Sequence, residues 1–287
     1  VVASGRRVPK DSKVVENGIY ELVNIDDAKQ IANAVEKHKI DTIVHLAAVL
    51  SAVGEAEPAK AWDVNINGLY KVLEIGREFG CSIFTPSSIA AFGPNSQKAK
   101  TPQDDIQRPT TMYGVTKVAG ELLCDYYYKR FGVDTRGVRF PGLISYETLP
   151  GGGTTDYAVH IYYEALKHGE YASFIKEGTY MDMMYMPDAL EAIIQLIEAN
   201  PDRLIHRNAF NVTAMSFAPE DVAAEIKKHI PEFKMLYEVD PIRQAIAESW
   251  PDSLDDTAAR EEWGWNPIYD LGSMTEDMIL KLKDKGI

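Results

Sequence analysis

The chain has 287 residues, 45% of them hydrophobic and 10% aromatic, which is enough for one large domain, or a large and a small one, around a buried core. A formal net charge of −13 with no clustered Lys/Arg stripe argues against nucleic acid or anionic membrane surfaces as partners, because phosphate binding needs grouped cations. The two cysteines, Cys81 and Cys124, match no metal-ligand spacing and make no disulfide framework, and no apolar run reaches the roughly 18 residues of a membrane span. A reducing compartment is the expectation, cytoplasmic, or mitochondrial behind a cleaved address.

In chain order, short apolar runs alternate with amphipathic ones. Residues 1–4, 19–23, 41–47, 82–86 and 133–140 read as strands, and 26–39, 59–79 and 113–131 as helices, the last ended by Gly132. This alternation predicts an α/β fold, a Rossmann-type doubly wound parallel sheet, over residues 1–145. Beyond Pro141 the texture changes. A glycine run at 151–153 leads to a helix at 157–168, and short helices and a strand at 209–213 follow, so residues 146–287 read as a smaller C-terminal substrate lobe with the chain crossing back to the first domain.

The stretch from Pro109 to Leu123 carries the chemistry. Pro109-Thr110-Thr111 is a helix start, so Tyr113 and Lys117 fall at i and i+4 on one face. A phenol is a poor base at neutral pH, and an ammonium one turn away favours its anion, making a proton-transfer pair. Ser87 and Ser88 follow a strand, at the carboxyl end where open α/β sheets bind ligands. Leu46, Ala47 and Ala48 end another strand with small residues against which a flat cofactor can lie, and Asn65 is placed to hold a neighbouring backbone. Each alone has an ordinary explanation as turn former, packing residue or helix feature.

Together, in this order, and with Arg139-Phe140-Pro141-Gly142 after them, they resemble the extended short-chain dehydrogenase/reductase family, the group related to nucleotide-sugar epimerases. Residues 50–55, 86–94, 151–158, 183–188 and 249–256 look like the epimerase-like L-threonine 3-dehydrogenases within it. The resemblance implies NAD-dependent oxidation of L-threonine at C3 to 2-amino-3-oxobutyrate, on the way to glycine or aminoacetone. It implies Tyr113 as proton acceptor, Lys117 as its electrostatic partner and ribose ligand, and Ser88 as the group that orients the substrate hydroxyl, with Ser87 beside it. Ser51, Thr154, Thr155 and Asp156 are then candidates for the amino acid's charged groups, Asp156 for the ammonium, and Trp250 for a pocket wall. A helix cap is the competing role for Thr154, Thr155 and Asp156. On the cofactor side it implies Asn24 and Ile25 near adenine, Leu46, Ala47, Ala48 and Asn65 along the middle, and Pro141 and Leu143 at the nicotinamide. A homodimer built on the two long helices is the corresponding expectation, with no metal. A nucleotide-sugar epimerase or dehydratase, or a non-catalytic cofactor-binding regulator, is the alternative.

Two departures stand out. The residue after the opening strand, where the family places an acid against the adenosine ribose, is Gly5, followed by Arg6 and Arg7, the direction expected of a 2′-phosphate site. Met181-Asp182 stands where the family carries an apolar residue and a proline. Nor is there a glycine-rich phosphate turn near Val1. In a sheet of order 3-2-1-4-5-6 the chain opens on the second strand, and the expectation is a polypeptide lacking about 25 to 35 residues that hold the central strand, or a central slot filled by another segment.

Overall fold

The computed structural model describes residues 1–8, 18–147, 149 and 151–287. In it β1 (Val2–Gly5) and β2 (Ile19–Leu22) lead into α1 (Ala28–His38), whose first amides are capped by the Asp27 carboxylate. β3 (Thr42–Val44) is followed by α2 (Ser51–Ala56) and α3 (Pro58–Trp62), then a wide turn at Asp63–Asn67 that runs into α4 (Gly68–Phe79). β4 (Ser82–Phe84) and β5 (Ser87–Ser88) precede α5 (Met112–Phe131). Thr111 caps α5 by accepting from the Gly114 amide, and Gly132 ends it at φ +72°, a conformation that glycine adopts without strain. β6 (Thr135–Arg136), β7 (Val138–Phe140) and β8 (Gly142–Ile144) complete the first half.

The second half supplies α6 (Tyr157–His168), β9 (Glu170–Ser173), β10 (Met181–Tyr185), α7 (Met186–Glu198), β11 (Phe210–Asn211), β12 (Met215–Phe217) and β13 (Lys234–Tyr237).

The sheet is parallel in its working part. β3, β4 and β6 form one ladder, while β7 takes β5 on one side and β11 on the other. β8 pairs with β10, to which β12 is antiparallel, and β9 pairs with β13. α1, α4 and α5 cover one face through Ile31, Val35, Leu73, Ile83 and Tyr127. α7 and the segment bearing Trp263 and Trp265 cover the other through Phe84, Val138, Leu196 and Phe210. A third cluster, with Tyr157, Tyr162, Met183 and Phe217 in it, is the core of the C-terminal lobe. Side chains such as Leu73 and Phe84, wholly removed from water, are worth about 1.5–3 kcal/mol each. No helix among the described residues is long and apolar enough to cross a membrane.

Several expected elements are shorter than their apolar runs. The run 133–140 divides at Gly137, because there the chain passes so close to the Thr85 carbonyl that a Cβ would lie 2.3 Å from its oxygen. β6 therefore pairs with β4, and β7 with β5. The run 41–47 is laddered only over β3, and 209–213 only over β11. The helix expected at 59–79 is helical throughout but widens at residues 63–67. Between β1 and β3, where the expected order puts its central strand, lies a cleft of about 620 Å³ lined by Val2, Ala3 and Ser4 on one side and Ile43, Val44 and Leu46 on the other. Among the described residues no strand pairs with either facing edge.

Gly137→Ala should cost about 1–3 kcal/mol, since backbone oxygen, not a flexible side-chain end, meets the added methyl. A fall of a few degrees or more in Tm by circular dichroism is expected; an unchanged Tm would show that the β6–β7 junction opens without penalty.

Candidate active site

Three adjoining hollows share Leu46 and Ala48 and make one groove along the carboxyl ends of the strands. The first is the cleft beside β1. The second is a small inner pocket of about 30 Å³, lined by His45, Asn65, Thr116, Lys117 and Glu121 among others. The third, of about 310 Å³, is lined by Ser51, Ser88, Tyr113, Lys117, Pro141, Leu143, Thr154, Thr155, Asp156 and Trp250. The structure thus brings together most of the residues expected from the sequence.

Tyr113 and Lys117 lie in the first turns of α5, and Gly114 between them sets the helix position. A Cβ there would be 2.2 Å from the Ala90 carbonyl oxygen and 2.5 Å from the Pro109 side chain, so only glycine lets α5 start this close to the turn that carries Ser88. The Lys117 ammonium sits 5.4 Å from the centre of the Tyr113 ring and donates to the Pro86 carbonyl at 2.7 Å. Ser88 accepts from the Ala90 amide at 3.2 Å and borders the 310 Å³ pocket.

Ser87, expected beside Ser88 on the substrate, lines the same pocket and gives its hydroxyl to Glu121. Glu121 is buried and accepts a bidentate pair from Arg139, Nε at 3.0 Å and Nη2 at 2.9 Å, with Gln107 adding a bond at 2.8 Å. Arg139 in turn donates to the Gln103 carbonyl and to Asn211. Sequence reasoning assigned Glu121 no role, although it continues the i, i+4 row of Tyr113 and Lys117.

Asn65 holds a neighbouring backbone, as expected. Its oxygen accepts from the Val49 amide at 2.7 Å, and its nitrogen donates to the Val49 carbonyl at 3.1 Å and the Thr116 hydroxyl at 3.0 Å, so it fastens the β3–α2 link to α5 while bordering the inner pocket. Asn24 turns its side chain to the Asp26 amide in its own loop, and Ile25 with Asp26 reaches the cleft instead. Gly5 and Arg6 line that cleft, whereas Arg7 is held by its carbonyl, which accepts from Tyr20 at 2.8 Å, and is not part of the lining. Asp156 accepts from the Gly152 and Gly153 amides at 2.7 and 2.5 Å, the loop-capping role that competed with ammonium binding. Thr155 packs on Gly142, where any side chain would collide with it.

Trp250 is buried against Ile89, Ala90 and Phe92, beside Tyr113. Its carbonyl accepts from Lys98 at 2.6 Å. The segment continues to Leu254, whose amide donates to Asp182 at 2.8 Å, while Thr213 donates its hydroxyl to the same carboxyl. Asp182, which stands where the family carries a proline, therefore ties β10 to the strip that walls the pocket. Burial pushes its carboxyl up to about 8, against the lowering effect of these hydrogen bonds. Burial, helped by the charge of Lys117, holds His45 down at about 4, so its imidazole is neutral at neutral pH.

For Asp182 the folded state retains a proton that the unfolded chain, at an ordinary carboxyl value near 4, gives up. Its contribution to stability is fully present below about pH 4 and is lost as pH rises toward 8. Asp182→Asn keeps an uncharged side chain of the same shape, so its Tm relative to the unsubstituted protein should rise between pH 5 and 8 and level off above. Thermal denaturation over that range checks this, and a Tm difference independent of pH would contradict it.

The family model for the NAD dependent epimerase/dehydratase family matches residues 2–213. The L-threonine dehydrogenase of Clostridium difficile superposes with a TM-score of 0.98 at 62% identity, over 100% of this chain and 90% of that one. The L-threonine dehydrogenase of Phytophthora infestans does so at 0.94 and 49% identity, over 98% and 90%. An uncharacterized epimerase/dehydratase of Staphylococcus haemolyticus is 55% identical over 285 residues, 99% of this chain and 90% of the relative. The groove, its reactive helix and these matches agree: the chain belongs to the NAD-dependent epimerase/dehydratase family.

Proposed function

We propose that the protein is an L-threonine 3-dehydrogenase, oxidising the C3 hydroxyl to give 2-amino-3-oxobutyrate. The observation that carries this reading is the 310 Å³ pocket, at the small end of ligand sites, in which Ser88 and Tyr113 face a wall made by Thr154, Thr155 and Trp250. Its lining has one cation, Lys117, where a nucleotide-sugar diphosphate would call for more. The 62% identical relative bears the same activity in its name, which supports the substrate as well as the reaction.

The donor set suits NAD. Ala47 and Ala48 leave room along the strand ends, Pro141 and Leu143 offer an apolar wall for a flat ring, and Lys117 offers an ammonium to a ribose. A bound NAD+ would supply the hydride acceptor for C3. Tyr113, as a phenolate paired with the Lys117 ammonium, accepts the hydroxyl proton and becomes a neutral phenol. Ser88 donates to the oxygen as it becomes a carbonyl. Ser51, Thr154 and Thr155 border the amino and carboxylate end of the substrate, and Asp156 acts there mainly by holding the Gly152–Gly153 turn.

The same reading divides the chain at about residue 145, with the cofactor on the first part and the substrate wall on the second, in a cytoplasmic enzyme. It includes a homodimer: Val115, Leu122 and Tyr126 leave an exposed apolar stripe along α5, with Tyr70 of α4 exposed as well.

Tyr113→Phe retains shape and ring packing while removing the proton acceptor, so kcat should fall about a hundredfold or more. Reduction of NAD+ with L-threonine, set against chromatographic detection of epimerised or dehydrated product from UDP-glucose, checks the substrate; turnover of the sugar nucleotide alone would replace this reading with that of an epimerase or dehydratase.

A further inference from the structure

We propose that the turn after β1 makes the cleft receptive to an adenosine bearing a 2′-phosphate, so that NADP binds here as well as NAD. The inference rests on the cleft being the cofactor groove. In a doubly wound sheet the adenosine ribose lies at the carboxyl end of the strand next to the central slot, where an acid selects the 2′-hydroxyl and an arginine accommodates a 2′-phosphate. β1 is that strand here: it borders the cleft, with β2 on its far side.

At its end stands Gly5, then Arg6, which lines the cleft and has no hydrogen-bond or ion-pair partner among the described residues. The acid in the lining, Asp26, faces Lys71 at 3.9 Å, and the lining holds a second cation, Lys60. Gly5 also sets the turn. A Cβ there would lie 2.5 Å from the Tyr20 hydroxyl, which donates to the Arg7 carbonyl at 2.8 Å, so a side chain at position 5 would displace the tyrosine that holds the arginine turn. The turn thus lacks an acid at position 5 and leaves the Arg6 guanidinium in the cleft lining, with the Asp26 carboxylate facing Lys71. A guanidinium suits this work because it is always charged and offers two parallel donors to phosphate oxygens.

Isothermal titration calorimetry on the purified protein tests this without turnover, with 5′-AMP, adenosine 2′,5′-bisphosphate, NAD+ and NADP+ as titrants. The bisphosphate should bind about tenfold or more tighter than 5′-AMP, the scale of one or two charge-assisted hydrogen bonds. Arg6→Ala should bring that ratio to about one. Gly5→Asp should weaken NADP+ by about tenfold or more relative to NAD+. Equal binding of the two adenosine phosphates, or a preference that survives both Arg6→Ala and Arg7→Ala, overturns the proposal. Failure of every nucleotide to bind overturns it together with the cofactor groove. NADP+ binding without threonine oxidation would sustain it and remove only the proposed substrate.

Discussion

The buried pair of Glu121 and Arg139 is the contact on which the geometry of the groove depends. Tyr113, Lys117 and Glu121 follow one another at intervals of one helical turn, so fixing the third sets the rotation of α5 about its axis and hence where the first two point. Both carboxylate oxygens are filled, by Arg139, Ser87 and Gln107, and Arg139 spends its remaining donors on Gln103 and Asn211. A buried pair of this kind adds little net stability over apolar side chains of the same volume, yet removing one partner costs about 3–5 kcal/mol by stranding the other. Its contribution is a single orientation of the reactive helix against β5 and β7.

Close backbone approach does the rest. Gly114 lets α5 rest on the Ala90 carbonyl, Gly142 lets Thr155 lie on β8, and at Gly93 a side chain would meet the Arg108 carbonyl at 1.9 Å. These contacts set the spacing between the tyrosine, the serine turn and the substrate loop. Loops carry a site less precisely than helices and strands do, and these close contacts hold the loops against the regular elements, so that a site drawn from segments far apart in sequence keeps one shape.

The helices were the legible part of the fold. The α5 helix was expected at 113–131 and spans Met112–Phe131, and α6 matches its expected 157–168, because periodicity, caps and terminal glycines agree there. Strands were overread, since an apolar run continues through Gly137 while the ladder changes partner. In the site, Tyr113, Lys117, Ser88 and Trp250 were legible from spacing and resemblance. The partners of Ser87 and Asp182 were not legible for a common reason: each is decided by a residue distant in sequence, Glu121 and Leu254, which no local pattern announces.

Charge in the inner pocket follows from the same arrangement. The protein is acidic overall, yet Lys117 has no carboxylate partner among the described residues, and its ammonium rests on the Pro86 carbonyl. Glu121, one turn further along the helix, is the acid placed to neutralise it, but its charge is matched by Arg139. His45, which also lines this pocket, is held neutral by burial and by Lys117 itself, so it adds no competing positive charge. One unneutralised cation therefore sets the local potential, in a partly enclosed space where charges interact more strongly than in water. That cation lies 5.4 Å from the centre of the Tyr113 ring. If Arg139 were absent, Glu121 would be free to pair with Lys117, and the helix would keep both side chains while the pocket lost its one unneutralised charge.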